Sequence, residues 1–232
     1  MSGPGTTEGT DRRHATHSRA AGCFRSTSFP MPPIPPVTKT LLLTCVAIFF
    51  AGMLLPGVFG PFEALLALWP LQSGRFMPWQ VVTYGFLHGD MTHLLFNMLG
   101  LWMFGSEIER LWGQRRYLQF LLASLLTAAA AQLAVTFLMG SPYPTVGASG
   151  ALYGLLLAFG MLFPNRTIVP LFPPIPMKAR TFVIVFGALE FVLGLTGRSG
   201  VAHFAHLGGM LGGFLMIRYW RGQPPFGRAR RR

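Results

Sequence analysis

The chain has 232 residues, 51% of them hydrophobic and 11% charged, with a mean hydropathy of +0.46. A water-soluble domain carries about 25% charged residues, so the composition excludes a soluble globular enzyme and points to one integral membrane domain. The net charge of +12 would suit a nucleic-acid binder. The basic residues, however, gather in the tails and at segment ends, where membrane proteins keep them, so no nucleic-acid partner is expected.

Residues 1–38 are rich in Gly, Ser, Thr, Arg and Pro. They show no hydrophobic period and read as a disordered N-terminal tail without the apolar core of a signal peptide. The stretch MPPIPPVTKTLLL, from Met31, would make a natural start, so residues 1–30 are expected to be an over-extended gene start. The two cysteines, Cys23 and Cys45, form neither a disulfide framework nor a metal pattern and read as free thiols.

Six apolar segments follow, at about 39–58, 90–108, 116–139, 147–163, 180–196 and 202–219. Each approaches the ~20 residues that a membrane helix needs. The expected fold class is therefore an all-α membrane protein, a six-transmembrane-helix bundle over 39–219, followed by a basic cytoplasmic tail at 220–232. The linker between the first two spans, about 59–86, is too broken for a simple span. Phe62, Trp69 and Trp79 mark it as a structured loop partly immersed at the interface.

Lysine and arginine set the orientation. With the N-terminus inside, only Arg75 and Arg198 fall in outer segments. The other seventeen basic residues fall in inner ones, including Arg110, Arg115 and Arg116 after span 2 and the C-terminal RARRR. That asymmetry supports six spans with both ends cytoplasmic. Short loops and the lack of targeting signals suggest a bacterial inner membrane.

Polar side chains in membrane spans are costly and tend to be functional. In GASG, Ser149 is flanked by Gly147, Ala148 and Gly150, and Gly150 and Gly154 form a face that lets another helix approach closely. Ser149 is either an inert packing residue or a nucleophile. In AHLGGMLGG, Gly209 and Gly213 repeat the spacing on span 6, so two glycine-faced helices can meet and bring His206 within hydrogen-bond reach of Ser149. The alternative for His206 is a helix-end histidine. His203, three residues earlier, lies nearer the interface in a supporting position.

In HGDMTHLLFNMLG, His93 and Asn97 are four apart on one helical face. They read either as donors for a developing oxyanion, together with the Ser149 amide, or as an interhelical polar clamp. His88 reads as a loop-organising hydrogen bonder. Glu109, with Arg110, Arg115 and Arg116, reads as a structural cluster at the cytoplasmic end of span 2. The six-span topology puts Ser149, His93, Asn97 and His206 near one outer face. Span 5 shows few obvious anchors and could serve as a lateral gate. Glu190 within it has no assigned partner; it either hydrogen-bonds near the cavity or is held protonated.

HLLFNMLGLWMFGSEIE, GASGALYG and AHLGGMLGG, in that order and spacing, resemble the rhomboid family of intramembrane serine proteases over residues 39–219. The resemblance implies a minimal six-span form. It implies Ser149 as nucleophile and His206 as general base and then acid, working as a dyad; no carboxylate is placed by the sequence to orient His206. It further implies oxyanion donors at His93 and Asn97, Tyr153 packed on the catalytic imidazole, Trp79 in the immersed loop and Glu109 as a structural glutamate. Substrates would be single transmembrane helices with small or helix-breaking residues. No cofactor and no metal are expected, and the oligomeric state is left open.

Three rivals stand beside this reading. A non-catalytic rhomboid-like protein that escorts membrane helices would need the fold but not the dyad. An intramembrane metalloprotease built on His88, His93, His203 and His206 lacks an HExxH motif. A small transporter would be expected to show an inverted repeat, and none is detectable.

Overall fold

The computed structural model describes residues 32–171, 173–196 and 202–223. The expectations for a tail at 1–31, the gene start, Cys23, Arg198 and the tail beyond residue 223 lie outside the described residues.

The first helix, α1 (Pro36–Leu54), opens with a proline at its first position, where the missing N–H costs no bond. It begins three residues earlier than the sequence suggests, because Glu109 reaches across to receive its first amides. Val37 N donates to Glu109 Oε1 at 3.0 Å and Thr38 N to Oε2 at 2.7 Å. Only Thr38 and Cys45 of α1 are buried, while Leu43, Phe50, Met53 and Leu54 are exposed. A helix apolar on all sides suits lipid rather than water.

The linker is more ordered than a loop. Leu55 leaves the helical region ahead of Pro56, as pre-proline sterics require, and the chain then forms α2 (Pro56–Leu66) and the single turn α3 (Gln80–Thr83). Gln80 organises this segment. Its Oε1 accepts from Trp69 N and Met77 N, and its Nε2 donates to the carbonyls of Leu65 and Arg75.

Next come α4 (Met91–Gly100), a π-helical turn (Leu101–Gly105) and α5 (Ser106–Met139). As one straight rod, 49 residues would run roughly 70 Å, far beyond a ~30 Å hydrocarbon core. Gly113 prevents this: at φ 76° and ψ 164° it leaves the helix. The chain folds back there, since Tyr117 and Leu101 both lie against Gly105. The stretch is thus two helical arms rather than one rod.

The helix α6 (Ser149–Leu162) is followed by a feature absent from an all-α expectation. Two residues of β1 (Thr167–Ile168) pair antiparallel with β2 (Met177–Lys178), with Ile168 opposite Met177. Then come α7 (Ala179–Thr196) and α8 (His203–Trp220). The core between α4, α5, α6 and α8 is built from Leu101, Ile108, Tyr117, Phe120, Leu155, Ala158 and Ile217.

By length and composition three helical stretches can cross a membrane, Pro36–Leu54, Met91–Met139 and Ala179–Thr196, with α6 a shorter apolar helix. Their outer faces leave Leu95, Phe96, Ile184, Val185, Phe191 and Val192 exposed. An apolar exterior of this extent belongs to an integral membrane protein.

Glycines bring α6 and α8 together. A Cβ on Gly209 would lie 2.6 Å from the Gly150 carbonyl carbon, and one on Gly213 would lie 3.2 Å from Gly154 Cα. The neighbours are backbone atoms, which cannot rotate away. Any side chain at Gly209 would therefore push the two helices apart.

Candidate active site

Ser149 is the first residue of α6. Backbone N–H groups in the first turn of a helix have no intrahelical acceptor and point outward. The segment leading to it is held from below. Leu68 and Thr145 form an isolated antiparallel bridge, Gly147 N donates to the Tyr84 carbonyl at 2.9 Å, and the Tyr84 hydroxyl donates to the Leu125 carbonyl at 3.0 Å. Gly147 sits at φ 126°, where a side chain would be strained. A Cβ there would also lie 2.6 Å from His93 Nε2.

His206, in the first turns of α8, faces Ser149 across the glycine contact, with Nε2 2.8 Å from Oγ. The Tyr153 ring stacks on the imidazole, with centroids 4.2 Å apart and planes 7° from parallel. Both histidines of α8 are buried.

His93 and Asn97 come from α4. Asp90 caps that helix, its Oδ1 accepting from His93 N at 2.8 Å. Gly89 N makes a long 3.5 Å approach to His93 Nδ1. With Nδ1 as acceptor, the ring proton is assigned to Nε2, the atom beside Gly147. Asn97 is buried. Its Nδ2 donates to the His93 carbonyl at 2.9 Å, which leaves a second N–H, while Oδ1 has no partner. Ser149, Tyr153, His93, Asn97, His203, His206 and Glu190 all line one cavity of about 1180 Å³. The sequence-derived set therefore does converge.

The sequence placed no carboxylate to orient His206 and left the partner of Glu190 open; the structure brings Glu190 beside that ring. Its Oε2 lies 2.6 Å from His203 Nδ1 and 2.9 Å from His206 Nδ1, and its Oε1 accepts from the Tyr153 hydroxyl. The His206 contact is at ion-pair distance but not aligned as a hydrogen bond, so the buried Nδ1 has its nearest acceptor slightly off line. The description of span 5 as poorly anchored is corrected too. Besides Glu190, Phe182 and Val183 are buried in a core with α6, and Gly194 packs on Phe204 and His203.

The rhomboid domain model matches residues 75–222, which include every residue of this cavity. The chain belongs to the rhomboid family. It is 34% identical over 140 residues to Rhomboid protease GluP of Bacillus subtilis, covering 59% of this chain and 25% of that protein. It is 36% identical over 141 residues to RHOMBOID-like protein 4 of Arabidopsis thaliana, covering 60% and 33%. It is 28% identical over 191 residues to Rhomboid protease GlpG of Yersinia pestis, covering 80% and 62%. The chain thus spans between a quarter and somewhat under two thirds of the length of these relatives.

Other residues singled out in this rhomboid sequence lie away from the serine. Trp79 is half exposed, and its indole N–H donates to the Leu65 carbonyl at 3.1 Å, tying α3 to α2. Glu109 takes its bonds from the start of α1 and from Thr38 Oγ1 rather than serving chiefly as an arginine partner. The His88 ring meets that of His93 edge-on at 5.2 Å, and among the described residues its ring nitrogens pair with no side chain. Burial, followed by the neighbouring His93, pushes the His88 imidazole down to about 4.

Glu190, His203 and His206 also form a donor set that zinc accepts. Two ligands of one tetrahedral zinc stand ~3.3 Å apart, whereas His203 Nδ1 at 2.6 Å is at hydrogen-bond distance from Glu190 and His206 Nδ1 at 2.9 Å is at ion-pair distance. The arrangement fits a proton-sharing cluster.

Proposed function

We propose that this rhomboid is an intramembrane serine endopeptidase that cleaves transmembrane-helix substrates, with Ser149 as nucleophile and His206 as its base. The observation that carries the reading is the 2.8 Å contact between Ser149 Oγ and His206 Nε2 at a helix N-terminus, inside a polar cavity of an otherwise apolar bundle. A neutral serine needs such a base to attack a carbonyl. The names of the GluP and GlpG relatives agree with it.

His206 takes the Oγ proton as Ser149 attacks the scissile carbonyl. The resulting oxyanion is held by the Ser149 amide, His93 Nε2–H and the free N–H of Asn97, donors fixed before the reaction begins. His206 then passes its proton to the leaving amine. Water entering through the cavity hydrolyses the acyl-enzyme by the same exchange in reverse. Gly147, Gly150 and Gly209 allow the close approach, and Tyr153 keeps the imidazole ring in plane. The chain crosses a bacterial inner membrane six times with both ends cytoplasmic, the loop between spans 1 and 2 is partly immersed, and the site opens to the outer face.

The test is labelling of purified protein by a tagged fluorophosphonate, alongside cleavage of a transmembrane-helix peptide. Wild type is expected to label and cleave, and Ser149→Ala and His206→Ala to lose both by ~10³-fold or more. A folded wild type that neither labels nor cleaves, but binds the peptide, would instead establish the helix-escort reading.

A further inference from the structure

The serine and histidine described above use only one side of the His206 ring. On the other side lies a buried carboxylate that the two-residue mechanism leaves without a task. Glu190 is 7% exposed in the middle of an apolar helix. A charge there is costly unless it is paired and hydrogen-bonded. The donors facing it come from two other helices: Tyr153 from α6 and His203 and His206 from α8. Among the described residues, Asp90, His93 and Tyr143 are the other ionisable groups lining this cavity.

We propose that Glu190 is a positioning residue for His206, so that the hydrolytic centre of this chain is a Ser149–His206–Glu190 relay rather than a pair. The inference deepens the protease reading and rests on it. The physical argument starts from tautomers. A neutral imidazole carries one ring proton. To act as base, His206 must present an unprotonated Nε2 to Ser149, so its proton must sit on Nδ1. A buried Nδ1–H needs an acceptor, and Glu190 Oε2 at 2.9 Å is in reach. That contact favours the reactive tautomer. During attack the proton leaves Oγ for Nε2, Nδ1 keeps its own, and the imidazolium so formed faces a carboxylate.

The other two bonds explain why the carboxylate stays where it is. Tyr153 holds Oε1 while its ring lies flat on His206, so the same side chain fixes both partners. His203 Nδ1 holds Oε2 at 2.6 Å from the turn preceding His206. The slight misalignment of the Nδ1 contact suits a resting site, since such bonds tighten as charge develops. The cluster also fastens α7 to α6 and α8, and a mere fastening would have different kinetics.

The experiment compares wild type with Glu190→Gln and Glu190→Asp in micelles. It measures fluorophosphonate labelling rate, kcat and KM on a fluorogenic transmembrane peptide, and thermal unfolding. Ser149→Ala serves as the blank. Glu190→Gln is expected to lower labelling rate and kcat per folded molecule at least tenfold at nearly unchanged KM, with part of the rate restored in Glu190→Asp. Independently of any Glu190 variant, nitrogen-15 NMR of histidine-labelled wild type is expected to report His206 as the Nδ1–H tautomer, the signal being assigned by its loss in His206→Ala.

An Nε2–H tautomer in wild type would overturn the proposal. So would a Glu190→Gln variant with unchanged kcat, or one that changes KM alone, as a fastening of α7 would. If wild type neither labels nor cleaves, the protease reading itself fails, which is distinguishable from a wild type that labels and a Glu190→Gln variant that labels equally fast.

Discussion

Glu109 and Glu190 are both buried carboxylates in apolar surroundings, 3% and 7% exposed, and each accepts several hydrogen bonds. Their donors differ. Glu109 receives the amides of Val37 and Thr38 and the Thr38 hydroxyl at the start of α1. Backbone amides cannot change protonation, and a negative charge at a helix N-terminus is favoured by the helix dipole. Glu190 receives two imidazoles and a phenol, groups that carry and exchange protons. Burial of a carboxylate therefore says only that it is satisfied. The chemistry of its donors separates a structural clamp from a reactive cluster.

That contrast can be broken at either end. The largest effect is expected on the reactive side. Asn97→Ala removes an oxyanion donor and should lower kcat by ~10²–10³-fold with little change in Tm; an unchanged kcat would reduce Asn97 to an interhelical clamp. At the structural end, Glu109→Gln should cost about 1–3 kcal/mol of stability through weakened charge-assisted bonds. It should leave turnover per folded molecule unchanged in a thermal-unfolding and active-site-titration pair. Equal loss of turnover would dissolve the distinction drawn above.

The smallest effect concerns His88, which lies between the ends in kind: half-buried and in neither carboxylate cluster. Its folded-state value near 4 lies below the ordinary 6.5. Between these limits the unfolded chain binds the extra proton, so stability rises with pH in that window and is lost as pH falls from about 6.5 towards 4. His88→Gln should flatten the acid side of a Tm-against-pH curve. A curve identical to wild type would assign the acid sensitivity elsewhere.

Much of this molecule was legible in the sequence. The hydropathy pattern marked α1, α6, α7 and α8 to within a few residues. Gly150, Gly154, Gly209 and Gly213 announced the close approach of α6 to α8, because small residues four apart on an apolar helix have few other uses. His93 and Asn97 shared a face by spacing alone. The β1–β2 pair was missed because two-residue strands have no periodicity to read. The linker was read as structured, but its helices α2 and α3 and its organiser were not, because Gln80 bonds to four separate points that no local pattern connects.

The sequence by itself determined that this chain lives in a membrane, that it belongs with the rhomboids, and which serine and histidine to compare. The first follows from hydrophobic transfer and the others from three motifs that resemble the rhomboid family, all readable along one dimension. Only the tertiary structure decided what surrounds Glu190. Its partners lie 37, 13 and 16 positions away on two other helices. A lone carboxylate in an apolar span announces a cost, and only the packing of α6, α7 and α8 reveals which protons meet it.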